Sequence, residues 1–477
     1  MNVSTGLLLF ALCYLLVMPW VIVLPWLRGT GDLICARNLF LVGTLHYFGL
    51  TVITLAGAGE SEWIMPPGDG DLLRFVGGVI LVIGSFLFFY HRWKWPARRG
   101  AIQAAKPVPS TNAGTIYTVA ILCTIYSIVA IISPPPIPVV LQLMVVTAVS
   151  ASVLAVTLCV WHWLRNRFDP IAILFVGGTA LWCLFATLSS GTGRRDLLSL
   201  LLVFPIVFYW AHLRYRNITE ATVKLATFAV IGLLILSVYS GVRHGVQRTT
   251  DAEGRFDRAV ARLQGLASGI LGGERNWQAL TGDNSAAVTF VCFNEFHREG
   301  SPEYFHSFRF ILLNPIPREF IPDKPEGLGE TLPRDLGVWK TGRVNWGPGI
   351  VGHAYHDGGL WMTVIYGFIL GGLFRWFDEL LRRHPENPYR LGIMAAMSPQ
   401  LIALSRGDIG VFGVLALGSV AFGIVVVLLI KMTLGGEPSP APDPDVEPDS
   451  PTPGGVVGDD FPEYDDPSPA PPNLAVR

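Results

Sequence analysis

Charge is scarce in this chain: Asp, Glu, Lys and Arg together make up 15% of 477 residues, while 51% are hydrophobic. A mean hydropathy of +0.46 is too high for a water-soluble protein of this size. Cysteine is equally thin. Cys13, Cys35, Cys123, Cys159 and Cys183 fall in apolar runs and Cys292 stands alone in the one long connection, so neither a disulfide framework nor a zinc pattern is available. The first apolar stretch opens Met1-Asn2-Val3-Ser4-Thr5 and lacks the basic flank of a cleaved signal, so it reads as a retained helix. A positive balance is hidden rather than missing. Residues 435–477 hold ten acidic residues and one arginine, which leaves the remaining body at +8 against −1 for the whole chain.

What the chain has in abundance is apolar runs long enough to cross hydrocarbon. Eleven candidates stand out, at 7–27, 34–57, 72–91, 115–133, 138–164, 171–189, 197–212, 223–241, 353–376, 390–405 and 409–431. The expected fold is an all-α polytopic membrane protein of about eleven transmembrane helices. The 34–57 run is broken by Gly and His and could instead be re-entrant. Domain bounds follow from the runs: N-terminal membrane helices over 1–241, a long loop domain over 242–352, C-terminal membrane helices over 353–432, and an acidic, Pro-rich tail over 433–477. That tail has too few apolar residues to offset its ordering entropy and reads as disordered.

Orientation follows from lysine and arginine in the short loops. Putting the basic loop of His91, Arg92, Lys94, Arg98, Arg99 and Lys106 in the cytoplasm also places Arg165, Arg167, Arg214, Arg216, Arg382 and Arg383 there. The long loop then lies outside the cell and the tail inside. Arg194, Arg195 and Arg406 break the pattern, sitting in short outer connections. One reading has them snorkel to headgroups or pair with Asp196 and Asp408; the other makes them an anion site on the outer face.

Within the long loop, residues 252–271 follow a helical pattern. Phe256, Val260, Leu263, Ala267 and Ile270 lie on one face, with Arg255, Arg258 and Arg262 nearly opposite, as suits a helix lying on a membrane or, equally, a solvated face on a small domain. A second helix is expected over 286–297. A third should start at Ser301-Pro302-Glu303, where Ser caps, Pro fits the first turn and Glu favours the positive helix end. It leads into Asn314-Pro315-Ile316-Pro317-Arg318-Glu319-Phe320-Ile321-Pro322-Asp323-Lys324-Pro325. Four prolines in twelve residues fix φ and remove amide donors, so this stretch is a stiff loop rather than a helix or central strand. It holds two cations, Arg318 and Lys324. Farther on, His353, His356 and Asp357 stand where the chain re-enters the membrane, and polar groups there need partners.

The run from Asn314 to Arg318, the Pro322-Asp323-Lys324-Pro325 that follows it, and Pro348-Gly349 to Gly359 leading into a Gly-rich span resemble the bacterial oligosaccharide repeat-unit polymerases of the Wzy or O-antigen polymerase type. Arg194, Arg195 and Arg243 at outer helix ends are similar to that family's arginines. The likeness covers roughly residues 170–430. His353 departs from it, standing where many relatives have an acidic residue. The resemblance implies a GT-C-like helical fold in the bacterial cytoplasmic membrane and metal-independent glycosyl transfer without a cofactor. Donor and acceptor would be repeat units on undecaprenyl pyrophosphate, with a chain-length-determining co-polymerase and a flippase as protein partners and no nucleic acid.

Such a transfer needs cations for the departing pyrophosphate, for which Arg194, Arg195, Arg243, Arg318, Lys324 and Arg406 are the candidates. It also needs a group to take or orient the acceptor's proton, for which His353, His356 and Asp357 are the candidates. Each of these three is equally readable as a satisfied residue at a helix start. Arg318 and Lys324 could instead tie their loop down through Glu319 and Asp323. Three other activities fit parts of the sequence: an O-antigen ligase, a polysaccharide transporter, and a metal-dependent GT-C enzyme using Asp69-Gly70-Asp71.

Overall fold

The computed structural model describes residues 3–57, 64–65, 67, 70–92, 112–135, 137–189, 194–249, 255–272, 285–299, 303–337 and 346–433. The tail, Asp69, Ser301 and Pro302 lie outside these residues. In hydrocarbon every backbone N–H and C=O must be bonded within the protein, which leaves helices as the natural solution for an apolar chain of this kind. The described residues are helical, with no strand among them. The N-terminal elements are α1 (Val3–Leu27), α2 (Ala36–Thr44), a π-helical stretch (Leu45–Thr51), α3 (Val52–Gly57), α4 (Asp71–Arg92), α5 (Ala113–Ile132), α6 (Pro138–Arg165), α7 (Pro170–Ser189), α8 (Arg194–Ala211) and α9 (Ile218–Thr249). The long connection contributes α10 (Arg255–Gly272), α11 (Ser285–Glu299), α12 (His306–Leu313), α13 (Leu328–Asp335) and α14 (Gly349–Gly358). The chain then forms α15 (Leu360–Arg383), α16 (Pro388–Ala403) and α17 (Ile409–Thr433).

Nine helices among the described residues are long and apolar enough to cross a membrane, so the protein is a multi-pass membrane protein. Two of the eleven expected spans fall short of that measure. The 197–212 run lies on α8, which begins Arg194-Arg195-Asp196, and the 390–405 run on α16, which has only 16 residues. At 1.5 Å per residue α16 is about 24 Å long, less than the roughly 30 Å of hydrocarbon. The two short helices pack against each other. The 34–57 run is one continuous helical stretch, Ala36–Gly57, carried through its Gly and His by the π-helical turns.

The tightest helix pair is α4 with α15, and its cause is Gly367-Phe368-Ile369-Leu370-Gly371. A methyl on Gly367 would come 1.9 Å from Ser85 Oγ and 2.5 Å from the Val82 carbonyl oxygen, and one on Gly371 would come 2.5 Å from the Phe86 carbonyl oxygen. Two glycines four residues apart let the backbones touch. At the far end of the pair, buried Asp378 accepts the backbone N–H groups of Ala36 at 2.7 Å and Arg37 at 3.2 Å and the Tyr90 hydroxyl at 2.7 Å. That carboxylate starts α2 and locks it to α4 and α15.

Three expectations change in the long connection, and one helix is added to it. The span expected to start at 353 is two helices, because Gly359 adopts φ +72° and ends α14 before α15 begins. α12 starts at His306, not at Ser301, after Phe305 in the left-handed region. α10 turns a different face inward: Ala259, Arg262 and Leu266 are buried while Leu263 is exposed. Its Arg262 Nη1–H group donates to the Leu188 carbonyl at 2.8 Å, capping the end of α7, and a partner of that kind outweighs the apolar stripe in setting the helix rotation. Finally, the Gly-rich chain after the proline loop contains α13.

Candidate functional site

The short turn Ser405–Asp408 between α16 and α17 joins the pieces of the loop-bearing end. Asp408 is the residue before α17: its Oδ1 accepts the Val411 N–H at 3.3 Å, as an N-cap does, and its Oδ2 accepts the Gly329 N–H of α13 at 3.1 Å. The Gly407 and Ser405 carbonyls accept the Gly349 and Ile350 N–H groups, both at 3.2 Å, and so hold the start of α14. Burial raises the Asp408 carboxyl above its usual range. Arg195, from the first turn of α8, stacks its guanidinium 4.1 Å over the Phe412 ring, and that ring lies flush on Gly407, where a methyl would be 1.6 Å from it. Arg406 is half-buried in the same turn. The ends of both short helices and two of the pattern-breaking arginines therefore meet at one turn.

His353 of α14 is buried and both ring nitrogens are engaged. Nε2 accepts the Ile409 N–H at 3.1 Å, which assigns the ring hydrogen to Nδ1. Nδ1–H donates to Ser307 Oγ at 2.8 Å, and Ser307 Oγ–H donates in turn to Asp357 Oδ1 at 3.3 Å. Asp357 Oδ2 accepts the Ser307 N–H at 3.0 Å and the Tyr366 hydroxyl at 2.6 Å. Ser, His and Asp thus stand in sequence, but all three are buried, so Ser307 is not a nucleophile open to substrate. The arrangement is an anchor. It fastens the first turn of α12, with a carboxylate at its positive end, to α14, α15 and α17. His356 lies at the edge of this core, its side chain 12% exposed: its buried Nδ1 is 3.6 Å from Asp357 Oδ1 and its ring meets His306 edge-on, centroids 5.8 Å apart.

Desolvation, outweighing the nearby Asp357 carboxylate, holds the His353 imidazole down at about 3, against an ordinary value near 6.5. Between those values the unfolded chain binds a proton that the folded one does not. The stability from this burial is therefore complete above about pH 6.5 and is lost as pH falls toward 3, at up to about 1.4 kcal/mol per unit. His353→Gln, which cannot titrate, should flatten the acid limb of melting temperature against pH. An unchanged acid limb in the variant would show that His353 does not set it.

The proline stretch is a loop, as its composition requires. Its lysine closes it: Lys324 Nζ donates to the Asn314 carbonyl at 3.0 Å and the Ile316 carbonyl at 2.9 Å. Burial, with Arg318 nearby, lowers the Lys324 ammonium from its ordinary value. Arg318 donates to Glu326 Oε1 at 3.3 Å, Arg334 to Glu326 Oε2 at 2.6 Å, and His306 Nε2–H to the Glu326 carbonyl at 2.9 Å. The loop is tied through Glu326 and backbone carbonyls, not through Glu319 and Asp323. The Arg318 side chain stays 55% exposed.

Of the expected anion-binding residues, Arg195, Arg406, Arg318 and Lys324 gather around the Ser405–Asp408 turn and the loop fastened to it. Arg194 and Arg243 lie on α8 and α9, their side chains outside the described residues. Asp71, of the Asp69-Gly70-Asp71 sequence, is buried at the start of α4 and accepts Arg74 Nη1–H at 2.7 Å. Sequence reasoning passed over Ser307, Glu326 and Tyr366, and took Asp408 only as a charge partner. An aspartate directly before a long apolar run is an N-cap signal that marks Asp408; nothing local marks Ser307. The chain matches no protein-family model, no curated protein and no solved structure.

Proposed function

We propose that this protein polymerises oligosaccharide repeat units carried on undecaprenyl pyrophosphate, at the side of the bacterial cytoplasmic membrane that bears the 242–352 connection. The observation that carries the reading is the meeting of Arg195 and Arg406 at the Ser405–Asp408 turn, to which Gly329, just past the Arg318-bearing loop, is bonded. Cations at such a place suit an anion attached to a lipid, and the proline-loop resemblance names that anion. In the reaction the acceptor hydroxyl oxygen bonds to the anomeric carbon of the donor sugar as the bond from that carbon to pyrophosphate oxygen breaks. Guanidinium groups fit the oxygens of the departing pyrophosphate and stabilise its growing charge. The hydroxyl proton passes to His356, which keeps 12% of its side chain exposed where His353 and Asp357 are buried. His353 and Asp357 act through position, holding α12 and the proline loop in place.

The test is incubation of the purified protein with one defined lipid-linked repeat unit, without added metal, and separation of products by length. A ladder is the expected product. Arg318→Ala should slow its growth on the order of 10²–10³-fold, as loss of one positioned donor does, with the melting temperature unchanged. A ladder that grows equally fast in the variant removes Arg318 from the site, and no ladder from several cognate units removes the polymerase reading.

A further inference from the structure

The helix α12 lies beside the membrane-spanning helices rather than above them. Ile311 packs on Gly413, where its Cδ1 is 2.5 Å from the place a methyl would occupy, and Phe310 packs on Gly410 in the same way. Phe308 rests on Tyr366 with ring centroids 4.6 Å apart. Gly413 is four residues into α17 and Tyr366 six residues into α15, so at 1.5 Å per residue these contacts lie about 6 and 9 Å below the helix starts. The buried face of α12 is His306, Ser307 and Ile311. Its opposite face carries Arg309 and Leu312 at i and i+3, and Phe305, the residue just before the helix, is exposed at its start. Leu312 is 70% exposed, and Phe320 in the following loop is 71% exposed. Among the described residues Phe305 is the one non-glycine with positive φ, at 59°, a conformation that costs about 1–2 kcal/mol.

We infer that the segment from Phe305 to Phe320 is a membrane-inserted lip, with Phe305, Leu312 and Phe320 in the lipid leaflet and Arg309 on lipid phosphate. Three large apolar side chains exposed along one short segment beside spanning helices continue the lipid-facing surface of α17, where Leu417, Ile424, Val425 and Leu428 are exposed. A cation in the middle of such a segment belongs at the boundary between hydrocarbon and headgroup, its stem in the apolar layer and its guanidinium at phosphate. Helices of this kind bury their apolar face about 5–10 Å into that boundary, and α12 meets α15 and α17 within about 6–9 Å of their first residues. The occupant is bulk phospholipid, and the inference stands whether or not the protein is a polymerase. Glu319 and Asp323, exposed in the same loop, mark its water-facing rim.

Cysteine placed at single positions and labelled with a fluorophore tests this in phosphatidylcholine vesicles. Cys13, the exposed one of the six native cysteines, is first replaced by serine. Leu312→Cys and Phe320→Cys carry the test labels, Leu428→Cys on α17 serves as the lipid standard and Asp323→Cys as the water standard. All four are surface positions, so the fold survives each change. Labels at 312 and 320 should be quenched by nitroxide-bearing lipid as the Leu428 label is, and protected from aqueous iodide. Adding Arg309→Glu should shift the 312 label toward the aqueous quencher. Labels at 312 and 320 that behave like the one at Asp323 overturn the inference. Labels shielded from both quenchers overturn it as well, because a protein partner or a second copy would then cover the segment.

Discussion

Asp357→Ala is expected to release the proline loop from the membrane bundle and to lower stability by about 1–3 kcal/mol. The change strands three buried donors, the Ser307 N–H, the Ser307 hydroxyl and the Tyr366 hydroxyl, and an unsatisfied buried donor costs about 1–3 kcal/mol. Because the two hydroxyls can rotate toward other acceptors, most of the loss falls on the backbone N–H at the start of α12. Melting of the purified protein in lipid nanodiscs measures it, and limited proteolysis between Asn314 and Pro325 reports where the structure opens. Ser307→Ala should be milder, since it keeps the backbone N–H bonded to the carboxylate. Equal melting temperatures and equal cleavage rates for wild type and Asp357→Ala would refute the anchoring role.

The second large effect belongs to Gly367→Leu. A methyl alone at this position meets Ser85 Oγ and the backbone of α4, so a leucine side chain cannot be placed without driving α4 and α15 apart. Overpacking of even one methylene costs about 1–3 kcal/mol, and here the obstacle includes rigid backbone. Gly367→Leu should yield little folded protein on size exclusion in mild detergent, and Gly367→Ala an intermediate amount. Gly84, on α4 with nothing within 4 Å of its would-be methyl, is the control. Gly84→Ala should be neutral or slightly stabilising through helix propensity. A folded, monodisperse Gly367→Leu protein would show that the close approach does not hold the pair together.

The apolar runs made the helical architecture legible, because length and hydrophobicity alone decide whether a segment suits hydrocarbon. Gly367 and Gly371 were legible in principle, as two glycines four residues apart in an apolar helix. What local sequence could not show was the partner of each polar group. His353 reads as a titrating residue until Ile409 N–H and Ser307 Oγ occupy its nitrogens. Lys324 and Arg318 read as neighbours of Glu319 and Asp323, yet the chain folds back to offer Glu326 and two carbonyls instead. The rotation of α10 was misread for the same reason: its apolar stripe is weaker than one arginine bonded to the end of another helix. The break at Gly358-Gly359 was visible as a pair of glycines but does not interrupt the hydropathy, so α14 merged with α15.

The way Glu326 holds Arg318 has a bearing on ligand exchange. The pair is largely exposed, and exposed ion pairs contribute on the order of 0–1 kcal/mol. On the proposed function, an arriving phosphate would displace the carboxylate from Arg318 at little cost, and Glu326 would keep Arg334, so no lone carboxylate would be left behind. Arg318 is pre-oriented by a partner it can surrender. Anion capture at this residue should weaken as ionic strength rises, since salt screens the incoming phosphate's attraction to a solvent-facing guanidinium.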